Sequence, residues 1–155
     1  MSWDFDKKEF YDFITKNKVI GFFEKPITLN SGRISYWYVN WREISSNVYL
    51  IDKLSNFLIG YVKSLGLDFD CFYGVPEGAT KIAIISQYKW ALNQEDIKKN
   101  PYPLIMGRGK SKDHGNLTDR YFLGIPKGKI IIIEDVTTTG SSLLKSIEKL
   151  DQLDT

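Results

Sequence analysis

The stretch "KIIIIEDVTTTGSSLL", Lys129–Leu144, decides the fold. Four isoleucines behind a lysine read as a strand, Lys129–Ile133, of the continuous apolar kind found in parallel sheets covered on both faces. Two acids, Glu134 and Asp135, follow at once, and adjacent like charges at the edge of a core need a reason. Then come the small residues Thr137-Thr138-Thr139-Gly140-Ser141-Ser142, and after them Leu143, Leu144, Ile147 and Leu150 at helical spacing. Strand, tight turn and helix in that order form half of a parallel α/β unit. Ligands of such sheets sit beyond the carboxyl ends of the strands, where the acid pair falls.

The turn offers an anion its backbone N–H groups and the hydroxyls of Thr137, Thr138, Thr139, Ser141 and Ser142. The positive end of the helix lies behind them. The acids suit hydroxyl donors, and a phosphate joined to a vicinal diol is a ribose 5-phosphate. Taken alone, "TTGSS" reads equally as a plain helix cap beside solvated acids; the whole string favours the cradle. A Walker-type loop is excluded, because no lysine follows Gly140.

Outward from this stretch, strands alternate with helices. Asp6 and Glu9 form a capping-box pattern before Phe10, Phe13 and Ile14. Two β-rich runs, Ile27–Leu29 and Tyr36–Val39, flank a turn at Asn30-Ser31-Gly32. Leu50, Leu54, Phe57, Leu58, Tyr61 and Val62 predict a helix that Gly66 stops. A buried strand through Tyr73 leads by a glycine-containing turn to a helix from about Ala79 to Leu92. "YPLIMGR" is a short strand candidate, and the polar stretch Gly107–Arg120 reads as a loop.

The totals are those of one globular domain: 155 residues, 43% hydrophobic and 26% charged, without repeats or low-complexity linkers. A net charge of +2 gives no global argument for nucleic acid. The single cysteine, Cys71, allows no internal disulfide and reads as a small core residue rather than a reactive thiol. No signal core and no apolar run of the ~20 residues needed to span a bilayer are present, so the expectation is a soluble cytoplasmic protein without a membrane or nucleic-acid partner.

"IIIIEDVTTTGSS" resembles the phosphoribosyl-pyrophosphate (PRPP) signature of type I phosphoribosyltransferases. The resemblance implies PRPP binding by Glu134, Asp135, Val136, Thr137, Thr138, Thr139, Gly140, Ser141 and Ser142. A second segment, "MGRGKSKDHGNLTDR", carries Arg108, Lys110, Lys112, His114 and Arg120. On charge alone it is a solvated basic loop; equally, such a loop suits a pyrophosphate leaving group. Its Arg-x-x-x-Lys-Asp-His-Gly pattern resembles the catalytic loop of orotate phosphoribosyltransferases. That likeness implies transfer of phosphoribose from PRPP to orotate in a homodimer whose 107–120 loop enters the neighbouring site. It gives catalytic roles to Lys112, His114 and Asp135, PRPP contacts to Arg108, Lys110, Lys112 and His114, and base contacts to Tyr38 and Thr138. Magnesium would arrive on PRPP with no direct protein ligand.

"ITLNSGRISYWYVN" is similar to the family's base-contacting segment, with Tyr38 able to stack and Val39 not. "FYGVPEGATKIAI" is similar to its pyrophosphate turn, where Gly74, Val75, Glu77 and Gly78 offer N–H groups. The implied fold is α/β: a mainly parallel twisted sheet flanked by helices, in one domain with an N-terminal hood of about 1–45 and a core of about 46–155. Departures are Asn30 in place of a lysine, Gly109 in place of another, and an end at Thr155, before the arginine that would grip the orotate carboxylate. Either the chain is a fragment or truncated form, or substrate recognition differs; an incomplete core edge is expected. The alternatives are a phosphoribosyltransferase for another nucleobase, a non-catalytic PRPP- or nucleotide-binding regulator, or an inert fragment.

Overall fold

The computed structural model describes residues 3–29, 31–100 and 102–153. In chain order they form α1 (Lys7–Lys16), β1 (Ile20–Thr28), β2 (Ile34–Val39), α2 (Arg42–Ser46), α3 (Val48–Ser64), β3 (Cys71–Gly74), α4 (Thr80–Leu92), β4 (Met106–Gly107), α5 (Leu117–Tyr121), β5 (Phe122–Leu123), β6 (Ile130–Ile133) and α6 (Ser141–Asp151). Asn30, in the expected hairpin turn, and Thr155 lie outside the described residues.

The isoleucine run pairs in parallel with β3, Cys71 opposite Ile130 through Gly74 opposite Ile133. Successive side chains of a strand point to opposite faces, and here both faces are covered. Phe72, Ile131 and Ile133 join a core with Ile59 and Val62 of α3 and Ala83, Trp90 and Ala91 of α4. Cys71, Tyr73, Ile130 and Ile132 point the other way, with Leu150 of α6, Ile105 and Phe122. The continuous apolar run is thus the consequence of a helix layer on each side.

The parallel ladder is narrower than the sequence implies. Met106–Gly107 pairs antiparallel with Phe122–Leu123 and adds no parallel rung. On that edge of β3 a side chain takes the strand's place: the fully buried Gln87 of α4 accepts the Phe72 N–H at 3.0 Å. Such a bond satisfies a buried donor that would otherwise be costly to desolvate. On the opposite edge, β6 pairs with β3 alone among the described residues, and all four isoleucines are only half-buried.

At the N-terminus, Asp6 caps α1 by accepting the Glu9 N–H at 2.8 Å. β1 and β2 form an antiparallel hairpin that starts earlier than the sequence suggests, at Ile20, with a register shift between Phe22 and Ile27. Phe13, Val19, Ile44, Val39 and Trp41 lock α1, the hairpin and α2 onto Leu50, Leu54 and Phe57 of α3. The hairpin therefore stands over the carboxyl end of the parallel pair.

Cys71 is fully buried and its Sγ–H donates to the Lys127 carbonyl at 3.6 Å. Burial pushes the thiol up to about 11, the carbonyl contact notwithstanding. The folded state thus keeps the proton where the unfolded chain, with an ordinary value of 9.0, releases it. This contribution to stability is whole below pH 9 and is lost as pH rises through about 11. The expected outcome is that a thiol reagent at pH 8 leaves Cys71 unlabelled in native buffer and labels it completely in denaturant, read by mass spectrometry.

Candidate active site

The last rung of the parallel ladder is the Val75 N–H donating to the Ile133 carbonyl at 2.8 Å. Two turns leave from it, 75–79 into α4 and 134–140 into α6, and they face each other. Gly78 lies directly against the Asp135 carboxylate, and a Cβ there would overlap it. The Pro76–Glu77 peptide of the first turn is cis.

These turns wall a cavity of about 960 Å³. Of the expected site residues, Tyr38, Glu134, Asp135, Val136, Thr138, Thr139, Ser141 and Ser142 line it, along with Ile27–Leu29 of the hairpin region. Helix, hairpin and strand thus bring together residues more than a hundred positions apart.

Thr137 and Gly140 do not line the cavity. The Thr137 hydroxyl donates to Glu134 Oε2 at 2.8 Å, so it orients an acid instead of offering a free donor. Gly140 is the N-cap of α6 in a left-handed conformation, φ 74°, which glycine adopts without the steric penalty of a Cβ. No side chain caps this helix, and the Thr139 hydroxyl turns to Ser141 Oγ at 3.2 Å. The plain-cap reading of "TTGSS" therefore fails. The first-turn amides of α6 lack a side-chain acceptor at the place where an anion is favoured.

One smaller expectation is corrected. The Val75 N–H is spent on the ladder and is not available to a ligand. Val39 packs into a core with Phe13, Val19 and Ile44, while Tyr38, pointing the opposite way, reaches the cavity.

The structure does not bring Arg108, Lys110, Lys112 or His114 into this cavity. Lys110, Lys112 and His114 are exposed on a loop with more order than its charges suggest. The Arg108 N–H donates to Tyr121 O at 2.8 Å, Arg108 Nε to Asp119 O at 3.1 Å, and the Lys112 N–H to Arg120 O at 3.0 Å. Arg120 in turn donates to the Asp113 carbonyl at 2.9 Å. The stretch is not wholly irregular, because it ends in α5, where Asn116 accepts the Asp119 N–H at 2.8 Å. An Asn with an acid three residues on is a helix-start pattern legible in the sequence. The loop leaves from the rim of the site, since the ideal Cβ position of Gly109 is 2.8 Å from Glu77 Oε1.

Sequence reasoning missed Arg42, Ser45, Ser46 and Lys81, all of which line the cavity. The signal for the first three was Asn40, whose Oδ1 accepts the Arg42 N–H at 3.0 Å and starts α2. Among the described residues the wall carries three carboxylates, Glu77, Glu134 and Asp135, against two cations, Arg42 and Lys81. The oxygen donors fit a hard divalent cation that arrives already held by a polyphosphate. Among the described residues no group of three or more His, Cys, Asp or Glu is placed to hold a metal ion itself. No described helix is long and apolar enough to cross a membrane.

No protein-family model matches the chain. Curated proteins do. One named orotate phosphoribosyltransferase, from Thermococcus gammatolerans, is 32% identical over 127 residues, covering 81% of this chain and 61% of the relative. Another of that name, from Buchnera aphidicola subsp. Acyrthosiphon pisum, is 31% identical over 152 residues, covering 98% and 67%. Among solved structures, orotate phosphoribosyltransferase from Aeropyrum pernix is similar with a TM-score of 0.60 and 25% identity, over 90% of this chain and 72% of that one. The Francisella tularensis structure of that name gives a TM-score of 0.64 at 22% identity, over 92% and 64%, and shares the fold. The chain spans roughly three fifths to two thirds of the length of these curated relatives.

Gly78→Ala is expected to push the Asp135 carboxylate out of place, since the methyl has no other room. Calorimetry should show ribose 5-phosphate affinity falling by about tenfold or more, a loss of ~1.4 kcal/mol, with the fold intact by circular dichroism.

Proposed function

This chain belongs to the orotate phosphoribosyltransferase family, and from that premise we propose that it transfers the phosphoribosyl group of PRPP to orotate. The products are pyrophosphate and orotidine 5'-monophosphate, a step of pyrimidine and UMP biosynthesis. The observation that carries the reading is a single cavity wall joining the acid pair, the uncapped first turn of α6 and Tyr38. A phosphate, a diol and a planar base need those three surfaces at once. In this reading residues 1–45 are a hood over the core 46–155 of one domain.

The 5-phosphate sits on the amides and hydroxyls of Thr138–Ser142, where the uncapped helix end favours negative charge. Glu134, held by Thr137, and Asp135, held against Gly78, accept from the ribose hydroxyls. The acceptor ring stacks on Tyr38, with Thr138 beside it. The bond from C1 of the ribose to the pyrophosphate oxygen breaks and the bond from C1 to the ring nitrogen forms, through an oxocarbenium-like state of the kind seen in glycoside hydrolysis. Asp135 steadies the positive charge as it grows. Charge on the departing oxygen needs cations that an acid-rich wall does not supply. Arg108, Lys110, Lys112 and His114, on the exposed 107–120 loop of a neighbouring subunit, meet that need by closing over the site.

Magnesium bound through PRPP oxygens would neutralise part of the pyrophosphate charge. We read the protein as a cytoplasmic homodimer, and a lone buried thiol is in keeping with a reducing compartment.

The test is to follow pyrophosphate release from PRPP and magnesium with orotate, uracil, hypoxanthine and adenine in parallel. Orotate should be the preferred acceptor. PRPP binding without release would select a non-catalytic regulator.

Lys112→Ala should lower kcat by about 100-fold or more, the scale of one lost charge-stabilising group, while PRPP binding by calorimetry stays within about twofold. Asp135→Asn should weaken PRPP binding or turnover by about tenfold; kinetics equal to the parent would remove the ribose role.

A further inference from the structure

Arg120 is the cation of the basic loop that the proposed reaction leaves without a task, and its guanidinium is turned inward. Nη2 donates to the Asp113 carbonyl at 2.9 Å, and Nε is buried with no acceptor among the described residues. The Arg120 carbonyl accepts the Lys112 N–H at 3.0 Å. One residue therefore brackets the backbone of Lys112 and Asp113 from both sides, and Gly115, at φ 100°, turns the chain back toward it. The foot of the loop is fixed separately. Gly107 pairs with Phe122, whose fully buried ring lies 5.7 Å from that of Tyr73 in β3. Arg108 is spent on the Asp119 and Tyr121 carbonyls, which closes the stem. Among the described residues, the bonds that reach Lys112 and Asp113 are those of Arg120.

Resting on the reaction assigned above, we propose that Arg120 is a positioning residue for turnover: it holds the 112–114 backbone in one shape, so that Lys112 and His114 meet the pyrophosphate as a preformed pair. Both side chains are exposed, and neither forms a salt bridge among the described residues. Their direction is therefore set by the backbone beneath them. A tip without internal bonds would lose its backbone freedom each time the loop closed, at the moment when charge on the leaving group has to be met. A tip ordered in advance puts its cations where that charge develops without the loss. A guanidinium folded back onto a main-chain carbonyl is poorly placed to grip pyrophosphate itself. Its effect passes through its neighbours.

The test compares Arg120→Ala, Arg120→Lys and Lys112→Ala with the parent chain. The readouts are steady-state kinetics with PRPP, magnesium and orotate, calorimetric PRPP binding, and limited trypsin cleavage of the free protein. Arg120→Ala is expected to lower kcat by about 10- to 100-fold, the scale of a misplaced catalytic group, while PRPP affinity holds within about twofold. Arg120→Lys, which can still donate to the Asp113 carbonyl, should recover part of the loss. In a Lys112→Ala background the Arg120→Ala loss should shrink to about threefold or less, because the two act as a unit. Cleavage after Lys110 and Lys112 should speed up by about fivefold as the tip loosens. Losses that multiply, or a fall in PRPP affinity equal to that in kcat, would make Arg120 a direct ligand or a plain structural residue and overturn the inference. Unchanged cleavage would overturn it too, and leave the reaction standing. A parent chain that binds PRPP yet releases no pyrophosphate would instead sink the reaction, and the turnover role of Arg120 with it.

Discussion

The site depends on one hydrogen bond, the Val75 N–H on the Ile133 carbonyl at 2.8 Å. It is the final rung between two parallel strands, and beyond it each chain must turn away. Because the strands are parallel, both turns leave in the same direction and end up facing each other. Gly78 is what lets them close, since its missing side chain makes room for the Asp135 carboxylate. Without that last rung, the acid pair and the 75–78 turn would have no fixed relation. The N-terminal hairpin, which packs on α3, would have no floor to cover.

The same geometry explains why two acids sit side by side. Asp135 is seated against a backbone turn, and Glu134 is held by the Thr137 hydroxyl. Each has a separate neighbour that fixes its direction, and both face a cavity wide enough for water or ligand. Their repulsion is therefore spent in a solvated space rather than in the core. An acid-rich wall would be a poor host for a bare polyanion. In the proposed reading it becomes a good one, because amides at a helix end would take the phosphate and cations would come from outside the cavity.

Much of this was legible in the sequence. Four isoleucines announced a doubly covered strand, and Asp6 with Glu9 announced α1. The string from Glu134 to Ser142 announced a turn between strand and helix, and most of its residues line the cavity. What escaped has physical reasons. The third strand's place beside β3 is taken by a glutamine side chain, which no periodicity can reveal. α2 is five residues long, too short for a hydrophobic stripe, and only Asn40 marks its start. α5 was hidden by charge, although Asn116 and Asp119 encode its first turn. Arg42 and Lys81 look like ordinary surface cations in sequence. Only the packing of α2 and α4 around one space shows what they face.

The two ends of the parallel pair are built to different tolerances. At the end remote from the cavity, the Lys129 N–H donates to Asp70 Oδ2 at 2.7 Å, the Lys129 ammonium reaches Asp68 at 2.6 Å, and Gly128 fits against Asp70. At the cavity end a single rung gives way to open turns. The unit is therefore stapled at its heel by charged side chains and backbone bonds, and held at its tips by one rung and the seat that Gly78 gives Asp135.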